Sequence, residues 1–138
     1  MWAVDTNVLV RYYTADDPLQ HAVAVSWLKA HAPCRVPITV VLELHWVLAS
    51  AYAMSAARTA AVFRHLLDSP AFKIESPHAV ERALEATVGG LEFPDAVHWA
   101  LAHDCEGIAT FDDRGFARKA GRMKLHPPVV MPVAGSGG

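Results

Sequence analysis

Apolar residues along this chain recur in two rhythms. Short runs bounded by turn residues read as strands, and longer stretches with apolar positions three and four apart read as helices. "WAV" at 2–4 is a short strand, followed at once by Asp5-Thr6-Asn7 and a new apolar run that opens a helix. From Pro18, "PLQHAVAVSWLKAHA" sets Leu19, Ala22, Val25 and Leu28 or Trp27 at helical spacing, with Pro33 beyond its end. "RVPI" is strand-like; Thr39 then stands as the N-cap of "VVLELHWVLASAY", whose apolar face runs through Val40, Val41, Leu44, Val47, Leu48 and Ala51. Ser55 caps a helix carrying Val62, Phe63 and Leu66, which Ser69-Pro70 interrupts. "FKIE" at 72–75 is a strand, and Ser76-Pro77 starts a helix that fades at Gly89-Gly90. "FPDAVHWALAHD" follows with Pro94 in a first-turn position, in a helical region ended by Gly107. "IATF" at 108–111 is a strand, "RGFARKAG" a short helix ending at Gly121, and "KLHPPVVM" a last strand kept to an edge by its prolines.

Strands alternating with helices imply right-handed βαβ crossovers and a parallel sheet. The predicted fold class is α/β: a three-layer α/β/α sandwich with a central parallel sheet covered on both faces. No repeat, low-complexity block or linker interrupts the order, so one domain is expected over residues 1–133, with "AGSGG" at 134–138 as a flexible tail.

Composition narrows the class. With 138 residues, 53% of them hydrophobic, the chain can bury a substantial core. Its two cysteines, Cys34 and Cys105, stand far apart, which excludes a disulfide framework or thiolate zinc site and fits a reducing compartment. Asp5 interrupts the N-terminus before an apolar signal region can form, and no stretch is long enough to span a membrane, so a cytoplasmic location without membrane contact is expected. A net charge of −2 excludes a generally basic coat; contact with a polyanion must be local.

The chemistry lies in carboxylates. Ligands of open parallel sheets bind outside the carboxyl ends of the strands. Asp5 follows "WAV" there, and Asp112 follows "IATF". Glu43 interrupts the apolar "VVLELHWVL", and Asp95 sits in the first turn of an otherwise apolar helix. Each has a plain alternative: Asp5 can cap the first helix, Asp95 can complement a helix dipole, and Asp112 or Asp113 can cap the helix near Arg114. Glu43 resists such a reading, because a glutamate beside a core face is rarely buried without a partner. Together the four form an acidic pocket whose repulsion a hard, oxygen-seeking cation such as Mg²⁺ or Mn²⁺ would offset. A cation so held suits phosphodiester hydrolysis and needs no nucleophilic Ser, Cys or Lys.

"VDTNVLVRYYTADDP", "VVLELHWVL", "FPDAVHWALAH" and "ATFDDRGFARKAG", in that order, resemble the PIN-domain ribonucleases over roughly Trp2 to Leu125, and more narrowly the VapC-type toxins of toxin–antitoxin modules. The resemblance implies a PIN-like fold and a Mg²⁺- or Mn²⁺-dependent endoribonuclease acting on tRNA, rRNA or mRNA. It implies a homodimer held inactive by a cognate antitoxin. Matched residue by residue, Asp5, Glu43, Asp95 and Asp112 fall on the family's acidic quartet, with Asp5, Asp95 and Asp112 as metal ligands and Glu43 as the orienter of water. Thr6 and Asn7 fall on polar positions beside the first acid, and Thr110 on a small polar position before the last. "TFDD" departs from the commoner spacing, in which a second acid follows one residue later; Arg114 stands in that place, so the fourth acid is Asp112, Asp113 or both.

Other residues divide between site and surface. Arg11 either reaches the pocket mouth to hold phosphate or is a solvated arginine. Arg114, Arg118, Lys119, Arg122 and Lys124 either form an ordinary solvated face or track the phosphates of a single strand. The eight histidines show no HxH or HExxH spacing, which disfavours zinc. Trp27, Trp46 and Trp99 lie on apolar faces and are read as core. Two rival functions remain. A phosphohydrolase of the DxDx[TV] type would need a second Asp where Asn7 stands, and an RNA- or protein-binding module without turnover would have no reason to bear four clustered acids.

Overall fold

Backbone pairing begins two residues before Asp5. In the computed structural model, which describes residues 1–134, the Arg35 N–H donates to Trp2 O at 2.8 Å and Val4 N–H donates to Arg35 O at 3.0 Å. The expected first strand is thus a single parallel bridge, Ala3 to Arg35. On the other side of the same residue, β1 (Cys34–Val36) pairs in parallel with β2 (Phe72–Ile74), in the register Cys34 to Phe72, Arg35 to Lys73 and Val36 to Ile74. Arg35 is therefore flanked by pairing on both sides. Cys34, Val36, Phe72 and Ile74 are buried, while Arg35 and Lys73 point out, as the two-residue period of a strand requires.

The chain divides into two compact units at Pro77. In the first, α1 (Thr6–Tyr13), α2 (Pro18–His31), α3 (Ile38–Ser50) and α4 (Ala56–Asp68) surround that pairing, with α1 packed on α2 and α3. Leu9, Val36, Val41, Leu44, Leu48, Phe63 and Leu66 are completely buried. Asp17 caps α2 ahead of Pro18, accepting from Gln20 N–H at 3.0 Å, and Ser55 caps α4 as expected, accepting from Arg58 N–H at 3.2 Å.

The second unit, from His78 on, holds nearly all of α5 (Pro77–Val88), then α6 (Phe93–Leu101), β3 (Ile108–Ala109), a π-helical turn (Asp113–Ala117), α7 (Arg118–Arg122) and β4 (Val129–Val130). The strands β3 and β4 are parallel, Ile108 opposite Val129. Trp99 is buried, donates its indole N–H to Pro127 O at 3.2 Å and carries the Arg82 guanidinium 4.4 Å above its ring. The α/β class with parallel strands follows the expected alternation of runs. No helix among the described residues is long and apolar enough to cross a membrane. Of the expected tail, all but Ala134 lies outside the described residues.

Several expectations need correction. Thr39 is not the cap of α3: that helix starts at Ile38, and the Glu75 carboxylate, at the end of β2, accepts the Ile38 N–H at 3.0 Å. A cap supplied from a distant strand leaves no local signature. Of the face expected for α2 only Leu28 is buried: Leu19 is 82% exposed and Val25 and Ala22 are exposed, while Ala24, outside that face, is buried. Apolar residues occur almost all round this helix, so spacing could not select a face. Trp46 is 67% exposed, not core: it follows the buried Leu44 by two residues, which turns it to the far side of α3. Finally, β3 stops at Ala109 instead of Phe111, because the Asp112 N–H turns away to the Thr110 hydroxyl at 3.0 Å.

The Glu75 cap is testable. Glu75→Ala should destabilise the protein by about 1 kcal/mol, the usual worth of a capping side chain, and Glu75→Gln should recover most of it. Urea unfolding of the three proteins measures the difference, and identical midpoints would refute the role.

Candidate active site

Asp5 ends the extended segment held by Arg35 and begins α1. Its backbone is extended (φ −84°, ψ 163°), and its Oδ1 accepts the Thr6 N–H at 2.7 Å. The capping alternative is therefore realised in part. It engages one oxygen and the first N–H of the helix, not the second or third that a cap side chain usually serves. Asp5 remains exposed.

One turn into α3, Glu43 opens onto a cavity of about 390 Å³ that Asp5, Thr6, Asn7, Arg11 and Tyr52 also line. Five residues singled out in the sequence thus share one concavity. The Thr6 hydroxyl on its wall is buried and has no hydrogen-bond partner among the described residues. A buried hydroxyl left unmade costs about 1–3 kcal/mol, so an unsatisfied one beside two carboxylates marks a place suited to a polar ligand.

Arg11 is fixed at the rim. Its Nε donates to Gln20 Oε1 at 2.7 Å and its Nη1 to Asp16 Oδ1 at 3.2 Å and Tyr52 Oη at 3.4 Å. Asp16 also accepts from the Tyr52 hydroxyl at 2.9 Å and the Thr14 hydroxyl at 3.0 Å, and these bonds hold its carboxyl below the ordinary carboxylate range. The Asp16–Tyr52–Gln20 bracket was not foreseen. "YYTADDP" offers two acids before the α2 proline, and one must cap, but nothing local shows that the other reaches Arg11 and Tyr52. A larger groove of about 790 Å³ between α1 and α2 shares Asp5, Asn7 and Arg11 and, apart from Gln20, is otherwise walled by apolar residues such as Trp2, Val8, Leu19 and Trp27.

The remaining predicted residues lie in the second unit. Asp112 is the cap of the π-helical turn: its two oxygens accept Gly115 N–H at 2.9 Å and Phe116 N–H at 3.1 Å. Gly115 makes this possible, since a Cβ there would run into the Asp112 carboxylate. Thr110 accepts the Asp112 N–H and so orients the acid it precedes. Asp113 instead forms an exposed ion pair with Arg118 at 3.4 Å, and Arg114 is exposed on the same turn. Burial pushes the Asp95 carboxyl upward; the negative charges of Glu92 and Asp112 add to this, while His98 and Lys119 oppose it. Asp95 and Asp112 therefore feel each other.

Within neither unit do three or more His, Cys, Asp or Glu side chains gather as ready metal ligands among the described residues. That does not disqualify a hard cation, because Mg²⁺ keeps several waters and is usually held by only one or two carboxylates. The Asp5–Glu43 cavity, with its hard oxygen donors and the unsatisfied Thr6 hydroxyl, fits such an ion. Histidine offers nothing comparable: burial lowers the basicity of His45, whose ring lies 5.9 Å from Phe63, and His98 is exposed.

A family model described as PIN domain matches residues 3–122 of the chain. No curated protein matches it.

The Arg11 bracket carries a pH signature. Because the Asp16 carboxyl is lowered in the folded protein, its contribution is fully present above its unfolded value of 3.8 and is lost as pH falls through the lower folded value. Asp16→Asn should therefore melt below the wild type at pH 7, and the gap should close as pH is taken below about 4. Melting curves across that range would test it, and a gap independent of pH would count against the bracket.

Proposed function

The chain belongs to the PIN-domain family, and from that premise we propose that it is a Mg²⁺- or Mn²⁺-dependent endoribonuclease serving as the toxin of a toxin–antitoxin pair. PIN domains are typically metal-dependent nucleases. The observation that supports the reading is the cavity in which Asp5, Glu43 and the unsatisfied Thr6 hydroxyl meet beside a fixed Arg11.

Asp5 and Thr6 present oxygens at the helix start, and Asn7 adds an amide to the same wall. A divalent cation bound there would supply an activated water and charge stabilisation at the phosphodiester. Glu43, across the cavity on α3, orients the attacking water and can accept its proton. Arg11 receives a phosphate oxygen: Gln20, Asp16 and Tyr52 fix its plane through Nε and Nη1, and Nη2 has no partner among the described residues. A guanidinium already held in place loses less freedom on binding phosphate than a loose one. Asp95 and Asp112 are proposed as further metal-binding acids, with Thr110 positioning Asp112 and with Arg114 and Arg118 available to the phosphates of tRNA, rRNA or mRNA.

Regulation follows from the same electrostatics. An antitoxin that offers Arg or Lys to the carboxylates would displace the cation, since a guanidinium fork suits an acidic cavity better than an apolar plug. The active species is proposed to be a homodimer in the cytoplasm.

Purified protein should cleave RNA with multiple turnover in Mg²⁺ or Mn²⁺ and stop in EDTA. Asp5→Asn should melt no lower than the wild type without metal, because Asn caps as well as Asp. Its cleavage should fall by at least about 100-fold, as altering even the partners of a metal ligand costs roughly 10–100-fold. Metal-independent cleavage, or an active Asp5→Asn protein, would refute the mechanism; RNA binding without turnover would favour the binding-module reading.

Co-purification with the neighbour-encoded partner should yield a complex without nuclease activity, and light scattering of the chain alone should give a dimer mass. A fully active complex would remove the antitoxin role, and a monomer the dimer.

A further inference from the structure

Phe111 stands where packing gives it no purpose. Its side chain is 79% exposed, although single exposed apolar residues are common and say little by themselves. The setting is what distinguishes it. The backbone on either side is pinned: Thr110 N–H donates to Val130 O at 2.9 Å, Asp113 N–H to Phe111 O at 3.0 Å, and Asp112 N–H to the Thr110 hydroxyl. A large ring is thus carried into solvent on a fixed stalk, directly before Asp112.

The segment after it is basic. Arg114, Lys119, Arg122 and Lys124 have no ion-pair partner among the described residues, and only Arg118 is paired, with Asp113. Lys119 lies close enough to Asp95 to favour its charged form. In a chain of net charge −2 this concentration of cations is local, five of them within residues 114–124, and they outnumber the acids beside them, Asp95, Asp112 and Asp113.

Cations that meet phosphates, next to an aromatic face that meets a base, are the two components of a single-strand binding track. We propose that Phe111 is a stacking platform for one unpaired base of a single-stranded RNA whose flanking phosphates lie on Arg114, Lys119 and Arg122. This rests on the nuclease reading and adds to it a residue that contacts a base. A duplex is disfavoured because its bases are already stacked on one another and cannot be offered to the ring. A protein partner is disfavoured because the patch has one aromatic ring among charges and no continuous apolar surface.

The test is equilibrium binding in EDTA, so that cleavage does not intervene. The probes are a short unstructured RNA carrying 2-aminopurine and the same sequence annealed into a duplex. Wild type should prefer the single strand and quench the 2-aminopurine. Phe111→Ala should weaken binding roughly 5- to 150-fold, lose the quench and leave the salt dependence unchanged, while Phe111→Trp restores both. Arg122→Ala should instead lower the slope of log affinity against log salt by about 0.7. Since the ring is exposed, melting temperatures should not move. Equal affinity of Phe111→Ala and wild type, equal binding of duplex, or an effect of Phe111→Ala confined to inhibition by the antitoxin would overturn the proposal. A parallel Mg²⁺ cleavage assay separates the two ideas. If wild type cleaves and Phe111→Ala binds normally, only the stacking platform fails; if wild type binds and quenches without cleaving, only the nuclease reading fails.

Discussion

The backbone of Arg35 is the constraint on which the first unit's site depends. Its N–H and C=O both bond the N-terminal segment, to Trp2 and Val4, and its neighbours in β1 pair with β2. Asp5 follows immediately, so the position of the first acid is decided by two backbone bonds to the central strand. The same strand positions the second acid. Val36 O accepts Glu75 N–H at 3.0 Å, Glu75 caps α3 through Ile38, and α3 carries Glu43. A strand of three residues thereby fixes both acidic walls of the cavity. Rigid backbone elements hold reactive groups more tightly than loops do.

Capping and catalysis are not competing explanations for these aspartates. Asp5 and Asp112 both accept backbone N–H groups at the start of a helical turn. Such bonds are charge-assisted and lock the carboxylate's rotamer. Asp112 has the stronger cradle, with two N–H donors and a glycine that clears space for it. An acid held this way is aimed before any ligand arrives.

Arg11 shows how a cation coexists with acids without being neutralised by them. Its partner Asp16 is shared with two hydroxyls, Gln20 takes the Nε–H and Tyr52 shares Nη1. The exposed Arg11–Asp16 pair contributes little stability. Its effect is orientation: Gln20 from α2, Tyr52 from the turn after α3 and Asp16 from the loop between α1 and α2 hold one guanidinium plane at the cavity rim.

Local sequence carried the order and kind of most elements, the parallel α/β class and the residues worth suspecting, although the first strand is a single bridge. These depend on local facts: period, capping residues, prolines, and acids set against apolar runs. Asp5, Thr6, Asn7, Arg11 and Glu43 were all legible as candidates for this reason, as were Asp95, Asp112 and the basic run after it. Packing between elements selects which of several faces each one buries. On α2, apolar residues on every side left Ala24 and Leu28 indistinguishable from Leu19 and Val25; on α3, Trp46 lay outside the buried stripe. Only the tertiary structure, too, could replace Thr39 with Glu75 as a cap, choose Asp112 over Asp113 as the cradled acid, and bring Asp16, Gln20 and Tyr52 around Arg11. Each of these depends on a partner distant in sequence or on the geometry of one turn, and period and composition carry no information about either.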